Sequence, residues 1–164
     1  MIICSLDLSS KCSGYAIFED KKLITSGVLL ANQANPIDRI KKMSAGLAKI
    51  FTDYPHIDAL VVEEVLPKDD NGSKKNLHTH KILMYVQAAM VFLAHEMYPG
   101  LEIKYYYPSE WRAACGIKNG RGIFREQQKK YDIEFVQENF GLDVGDDEAD
   151  AIGIGAAYIL KGGA

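Results

Sequence analysis

The chain has 164 residues, a length that fits one domain with one hydrophobic core, so we treat residues 1–164 as a single domain. Apolar residues make up 48% and charged residues 25%, and no apolar run is long enough to cross a bilayer, which excludes a membrane protein. Three cysteines without a CxxC motif, and a start without a signal-peptide pattern, lead us to expect a reduced, cytoplasmic protein. The net charge of −3 argues mildly against nucleic-acid binding, but acids gather at 143–150 and Lys and Arg at 118–130.

The first three predicted elements are strands that form an antiparallel meander. An apolar strand begins at Ile2 and ends near Asp7, a second begins at Gly14, and a third covers residues 23–30. A carboxylate at the end of a buried strand is costly unless a partner pairs with it. A bound metal explains Asp7 as well as an Asx-turn with the bend that follows the strand does.

The next two elements bring a second acidic strand end beside the first. Asn35-Pro36 predicts the start of an amphipathic helix whose apolar residues continue to Ile50. Residues 57–65 follow as a strand with a continuous apolar centre, which we expect to lie parallel to the first strand. Because side chains alternate along a strand, one of Glu63 and Glu64 should point to the same side as Asp7.

A long helix is predicted at residues 77–98, and it is apolar around much of its circumference. It is therefore either a central core helix or a helix with one face on the core and another on a second subunit. Residues spaced seven apart form the candidate dimer stripe, with a neighbouring register as the alternative. The stripe consists of Met84, Val91 and Tyr98, and the alternative register runs through Tyr85 and Phe92.

Two basic segments are candidates for phosphate contacts, with a solvated surface as the alternative for each. The first closes a polar loop at residues 67–76. The second follows a predicted fifth strand at 101–107 and a short helix that starts at Pro108, and it opens a helix that ends at Gly141. Spacing of four places Arg121, Arg125 and Lys129 on one face of this helix, with Phe124 on the opposite, core-directed face. The candidate contacts are Lys74, Lys75, Lys118, Arg121 and Arg125.

The last predicted helix begins in the acidic segment at 143–150 and continues with small residues. Asp146 or Asp147 can cap the helix, but Asp150 lies a turn inside and shares a face with Asp147. The small residues that follow allow a close approach to the sheet, so the helix can carry both acids to the strand ends. Carboxylates that converge without a compensating Arg or Lys require cations, and oxygen ligands favour Mg²⁺ or Mn²⁺.

The acidic motifs together resemble the RuvC family of Holliday-junction resolvases. They are Asp7 within LDLSSKCSGYAI, Glu63 within VVEEV, and Asp147 and Asp150 within DEADA. The resemblance implies an α/β protein of the RNase H-like fold, with a five-stranded mixed sheet of three antiparallel and two parallel strands flanked by helices. It also implies Asp7, Glu63, Asp147 and Asp150 as catalytic residues and ligands of two Mg²⁺ ions, and it favours Glu63 over Glu64.

The same resemblance implies a homodimer that makes paired nicks across four-way DNA junctions, leaving 5′-phosphate and 3′-hydroxyl ends. Leu66 and Pro67 stand where cellular members have an aromatic residue after the catalytic Glu, and this departure resembles the less selective resolvases of bacteriophages. Flaps and forks are therefore further expected substrates, and the bacterial host cytoplasm is the expected location. A nuclease of the same fold that acts on ribosomal RNA precursors and a non-catalytic junction-binding protein are the alternatives.

Overall fold

A computed structural model describes residues 1–65 and 74–163, without the side chains of residues 74–76. The predicted phosphate contacts of Lys74 and Lys75, and the Leu66 and Pro67 positions, therefore lie outside the described residues. No helix in the described part of the chain is both long and apolar enough to cross a membrane.

The described residues form one mixed sheet with helices on both faces. The strand order is β3-β2-β1-β4-β5, in which β1, β2 and β3 pair antiparallel while β4 pairs parallel with both β1 and β5. The predicted three antiparallel and two parallel strands are thereby confirmed. In chain order the elements are β1 (Ile2–Asp7), β2 (Cys12–Glu19), β3 (Lys22–Leu30), α1 (Pro36–Asp53), β4 (Ala59–Glu63), α2 (Lys74–Met97), β5 (Glu102–Tyr106), α3 (Pro108–Ala114), α4 (Arg125–Phe140) and α5 (Asp146–Leu160).

Alternation along β1 divides the core into two layers. Cys4 and Leu6 pack with residues of α1 and α2 on one side of the sheet. Ile3 packs with α3, α4 and α5 on the other side, where the buried Ser5 hydroxyl donates to the Ala151 carbonyl of α5 at 2.7 Å. Asp7 is in phase with Ile3 and Ser5, so the end of β1 directs it toward the α5 side.

Helix α5 lies unusually close to the sheet because glycines stand at its contacts. A Cβ on Gly155 would come within 2.3 Å of the Phe18 ring, and one on Gly153 within 2.5 Å of the Trp111 ring. The closest approach is made from the sheet side, where a Cβ on Gly14 would lie 1.8 Å from the Asp147 carbonyl oxygen. The small residues thus allow the close packing that the sequence predicts.

Helix α4 begins later than its charge spacing predicts. Gly120 and Gly122 have positive φ angles of 118° and 89°, which interrupt a right-handed helix, so α4 starts only at Arg125. The prediction that Arg121, Arg125 and Lys129 line one helical face is therefore wrong, because Arg121 lies in the preceding loop. Phe124 precedes the helix with 77% of its surface exposed, so its predicted core-directed orientation is also wrong.

The candidate dimer stripe on α2 is only partly exposed. The Tyr98 hydroxyl donates to the Phe51 and Tyr54 carbonyls at 2.6 and 2.9 Å, and Val91 packs against the α1/α2 core. These intramolecular contacts engage the Tyr98 hydroxyl within the chain, while the dimer stripe itself stays a prediction. The large apolar side chains that α2 exposes fall within one sector of the helix, the α2 face, defined as Leu77 (64%), Met84 (53%), Tyr85 (45%) and Phe92 (66%).

Candidate active site

The ends of β1 and β4 bring the first two carboxylates to one face of the sheet. The parallel register pairs Leu6 with Val62, so Asp7 and Glu63 follow side by side. Glu63 continues the phase of Val61, which belongs to the α5-side core, whereas Glu64 lines a groove with residues of α2. Strand alternation therefore selects Glu63, as expected, as the acid that shares a side with Asp7.

The first turns of α5 bring the other two carboxylates to the same place. The helix begins after Gly145, with Asp147 in its first turn and Asp150 one turn inside. Burial, and then the nearby Asp147 carboxylate, raise the pKa of the Cys12 thiol at the start of β2 to about 12. Because Gly14, which admits the Asp147 backbone, pairs with Asp7 across β1 and β2, α5 begins next to the β1 carboxylate.

The negative charges of some of these acids raise the pKa of others, which indicates that their carboxylates are close together. Burial raises the pKa of Asp7 well above its usual range, and the negative charges of Glu63 and Asp147 raise it further. Burial and then the charge of Asp7 raise the pKa of Asp150 to about 9. Burial also raises the pKa of Glu63, although its hydrogen bond with Trp111 acts in the opposite direction. We call Asp7, Glu63, Asp147 and Asp150 the acidic cluster.

The structure adds a basic residue that sequence reasoning missed. The Arg112 guanidinium contacts Asp132 at 2.9 Å and Asp150 at 3.4 Å, so the expectation of carboxylates without a compensating Arg is wrong. Trp111 was also missed, and its indole Nε1 donates to Glu63 Oε2 at 2.7 Å. One signal was present in the sequence: Asp132 stands four residues before the buried Val136, and an acid on the buried face of a helix requires a partner.

The remaining acids of the last helix are engaged elsewhere. Asp146 pairs with Lys129 of α4, and this hydrogen bond lowers the pKa of Asp146 below its usual range. Glu148 accepts a hydrogen bond from the Ser26 hydroxyl of β3 at 2.6 Å. Each of these acids is held by a partner outside the acidic cluster, so neither is a candidate ligand, although the charge of Asp146 contributes to the raised pKa of Asp7.

The donor chemistry of the acidic cluster fits a hard divalent cation. Its carboxylates are largely buried and repel one another, and the buried Asp150 Oδ1 has no hydrogen-bond partner among the described residues. Within residues 1–65 and 74–163, however, no three acidic, His or Cys side chains converge closely enough to enclose an ion as they stand. Glu63 and Asp150 are instead held by Trp111 and Arg112.

The candidate phosphate contacts with described side chains lie beside the acidic cluster. Lys118, Arg121 and Arg125 are all exposed. Gln128 of α4 donates both to the Lys118 carbonyl and to Asp132 at 3.2 Å, which fixes the loop after α3 next to the Arg112 ion pair. Arg125 is close enough to Asp146 to contribute to its lowered pKa. Two of the three basic residues are thereby placed near acids of the site: Lys118 through Gln128 and Asp132, and Arg125 through Asp146.

No protein-family model matches this sequence, and no curated protein matches it. Among solved structures, RuvC of Thermus thermophilus in complex with a Holliday junction substrate has a TM-score of 0.74 and 17% identity, covering 98% of this chain and 93% of that one. Another T. thermophilus RuvC structure has a TM-score of 0.70 and 18% identity, covering 98% and 94%. The yeast mitochondrial Holliday junction resolvase Ydc2 has a TM-score of 0.56 and 15% identity, covering 96% and 77%.

These likenesses extend over nearly the whole chain, and they include the mixed sheet and the helices on both of its faces. At identities of 15%, 17% and 18%, these likenesses show a shared fold. The resemblance that the acidic motifs suggest is thereby confirmed at the level of architecture: the chain has the RNase H-like fold of the RuvC Holliday junction resolvases.

Proposed function

We propose that this protein is a metal-dependent endodeoxyribonuclease that resolves four-way DNA junctions and also cuts flaps and forks. The observation that carries the proposal is the acidic cluster at the edge of a RuvC-like sheet. In addition to burial, the charge of Glu63 raises the pKa of Asp7, and the charges of Asp7 and Glu63 raise that of Asp150. Buried carboxylates that destabilise one another are retained where they serve a site rather than the fold. A neighbour with this fold was solved with a Holliday junction substrate, which supports the choice of DNA.

The proposed cofactor is Mg²⁺, two ions per site, with Mn²⁺ as a substitute. Asp7, Glu63, Asp147 and Asp150 would hold them, with Asp7 central because it neighbours both Glu63 and Asp147. A bound metal pair would supply activation of water and stabilisation of the leaving oxygen of a phosphodiester. The protein's own residues bind the ions, orient the carboxylates and hold the DNA backbone.

Lys118, Arg121 and Arg125 are the proposed phosphate contacts on the described surface. All three are exposed, and they adjoin the acidic cluster through the loop after α3 and the start of α4. Contacts of this kind position the DNA without reading its sequence.

The proposed active form is a homodimer built on the α2 face. Two related cuts in a four-way junction require two sites related by a two-fold axis, which a symmetric dimer supplies. The α2 face exposes four large apolar side chains on one stripe of a helix, which is costly in a monomer. Tyr105 of the edge strand β5 lines a groove with Met84, which extends the apolar surface beyond the helix.

The experiment that tests the proposal compares cutting of synthetic four-way, flap, fork and linear DNA with Mg²⁺, with Mn²⁺ and with EDTA. We expect paired nicks in the four-way junction that a DNA ligase can reseal, which requires 5′-phosphate and 3′-hydroxyl ends. Asp150→Asn should lose cutting, whereas Glu148→Gln on the same helix is the matched control and should retain it.

Two results would contradict the proposal, and each favours one alternative. Cutting of structured ribosomal RNA with no cutting of any branched DNA would favour the RNA-processing nuclease. Tight junction binding without cutting in any divalent cation, with all four acids intact, would favour the non-catalytic binding protein.

A further inference from the structure

Helix α3 places two adjacent side chains on two of the four carboxylates. Trp111 contacts Glu63, and Arg112 contacts Asp150, although the helix has only seven residues and carries none of the four carboxylates itself. We call Trp111 and Arg112 the α3 clamp. Both contacts are made by side chains, and neither contributes to the backbone hydrogen bonds of a helix or strand.

The Trp111 contact is rigid. Its side chain is fully buried, its ring lies against Gly153 of α5, and the Arg112 guanidinium covers the ring at 4.3 Å from its centre. An indole N–H can only donate, so Glu63 Oε2, at 2.7 Å, is bound as an acceptor. The bond therefore selects one orientation of the Glu63 carboxylate.

The Arg112 contact is anchored on one side and loose on the other. Its Nε donates to both Asp132 oxygens at 3.1 and 3.0 Å, and its Nη2 lies 2.9 Å from Asp132 Oδ2. The same Nη2 lies 3.4 Å from Asp150 Oδ2. Asp132 is fully buried on α4 and also accepts from Gln128, so the ion pair with Asp132 fixes the guanidinium in place.

Charge balance makes the Asp150 contact replaceable. Asp132 already neutralises Arg112, so Asp150 receives only part of one positive charge, and its Oδ1 has no partner among the described residues. The clamp also accounts for the open arrangement, in which no three described ligands enclose an ion. A divalent cation offers Asp150 more charge than a shared guanidinium does.

We propose that the α3 clamp holds the acidic cluster open and acts as its internal counterion, and that Asp150 leaves Arg112 for the cation when the site is loaded. Arg112 and Trp111 are positioning residues in this proposal, and Asp132 sets how strongly Arg112 competes with the cation. The proposal rests on the proposed function in one respect, because it takes the four carboxylates as cation ligands.

The test measures binding of Mn²⁺ to the 164-residue protein, without DNA, by titration calorimetry. Asp132→Asn weakens the anchor and frees Arg112 to pair fully with Asp150, so the Kd for Mn²⁺ should rise by about tenfold. The double variant Arg112→Gln with Asp132→Asn removes the competitor and leaves two amides that can bond each other, so the Kd should fall by about tenfold. A merely structural role predicts losses of the same sign in both variants.

Thermal unfolding provides a second readout that is independent of cutting. In EDTA the double variant should unfold at a lower temperature than Asp132→Asn, because its carboxylates have no counterion. Added Mg²⁺ should then raise its unfolding temperature by more than it raises that of the wild type. Trp111→Phe removes the indole N–H donor together with part of the buried ring system, so it should weaken Mn²⁺ binding and also lower the unfolding temperature in EDTA.

The outcomes separate this proposal from the proposed function. If the wild type binds Mn²⁺ and cuts junctions but the two Asp132 variants shift Kd in the same direction or not at all, the clamp proposal is wrong and the nuclease stands. If the wild type binds no divalent cation at all, both proposals fall. Opposite shifts, with normal Mn²⁺ binding by Glu148→Gln, support the clamp.

Discussion

At the scale of single residues, the acids of the candidate site lie in surroundings that disfavour their charged forms. Asp7 ends a strand whose other α5-side residues, Ile3 and Ser5, are fully buried. Its carboxylate is surrounded by the charges of Glu63 and Asp147, which raise its pKa after burial has already done so. The positive charge of Arg112 offsets part of this repulsion, and a bound cation would offset the rest.

The first prediction at this scale concerns Asp7→Asn. We expect the cutting rate to fall by more than about 100-fold, because Asp7 is the proposed central ligand of the ions. Loss of a direct ligand should reduce the rate more than loss of a residue that only positions a ligand. The metal-free protein should become more stable, with the unfolding temperature in EDTA rising by about 2 °C or more. Differential scanning calorimetry with a parallel junction-cutting assay measures both, with Glu148→Gln as the control. A destabilised Asp7→Asn protein would argue that the carboxylate supports the fold.

The second prediction concerns pH. Burial and the charge of Asp7 raise the pKa of Asp150 from its ordinary 3.8 to about 9, so between these values the folded protein binds more protons than the unfolded chain. Stability in EDTA should therefore fall as pH rises through this window. Asp150→Asn should flatten the slope, and saturating Mg²⁺ should do the same in the wild type. Unfolding temperatures measured at intervals of pH test this, and identical slopes for wild type and variant would contradict it.

At the scale of elements, the site depends on how closely α5 can approach the sheet. Two of its acids reach the strand ends only because the facing strand carries Gly14, where any Cβ would overlap the Asp147 carbonyl oxygen. The Ser5 hydroxyl of β1 donates to the Ala151 carbonyl of α5 and so holds the helix against the sheet. Helix α3 supplies the side chains that hold two of the carboxylates, and α4 supplies the buried Asp132 that anchors Arg112.

The third prediction follows from this packing and concerns Gly14→Ala. The added methyl group would lie 1.8 Å from a backbone oxygen, so the start of α5 must move away from Asp7. We expect a loss of ~3 kcal/mol in unfolding free energy, at the upper end for overpacking, together with loss of cutting. Gly145→Ala at the same helix end is the control, since nothing lies within 4 Å of its Cβ, and it should keep cutting. Normal cutting by Gly14→Ala would show that the approach of α5 is not required.

The fourth prediction concerns the loop between α3 and α4. Arg121 lies among glycines with positive φ and is exposed, so it is free to reach a phosphate rather than to support α4. Arg121→Ala should weaken binding to four-way junctions of every sequence alike and reduce the slope of log K against log salt by about one unit. Fluorescence anisotropy across a salt series measures the slope. An unchanged slope would return Arg121 to the solvated surface.

At the scale of the whole molecule, the two faces of the sheet have different tasks. The α5 side carries the acidic cluster and its basic neighbours, whereas the α2 side ends in an exposed apolar face. A dimer through the α2 face leaves the α5 side of each copy free for DNA. The interface and the site would therefore be separable by mutation.

The fifth prediction tests this separation with Phe92→Glu. Phe92 is 66% exposed, so a charge there should cost the monomer little while placing a buried, unpaired acid in a dimer. We expect a folded monomer in analytical ultracentrifugation that nicks junctions singly and produces no symmetric linear duplexes. Val91→Glu is the contrasting variant, because Val91 packs against the core and its replacement should lower the unfolding temperature itself. A wild type that is monomeric both free and on junction DNA would contradict paired incision.

The sequence alone determined the elements and most of the candidate ligands, because both follow from local rules. Alternation along a strand places one of Glu63 and Glu64 on the side of Asp7, and the family resemblance favours Glu63. Helical spacing puts Asp147 and Asp150 on one face of α5 without knowledge of any distant contact. Local signals failed where the backbone departs from its usual angles, as at Gly120 and Gly122, which delay the start of α4 beyond Arg121.

The tertiary structure alone decided what surrounds those ligands. Arg112 meets Asp132 and Asp150 across separations of 20 and 38 residues, so no periodicity within one element could reveal the ion pair. The same holds for Tyr98, whose hydroxyl is used by carbonyls more than 40 residues away. Helical spacing tells which side chains of an element share a face, but packing against other elements decides which faces are buried and which charges are paired.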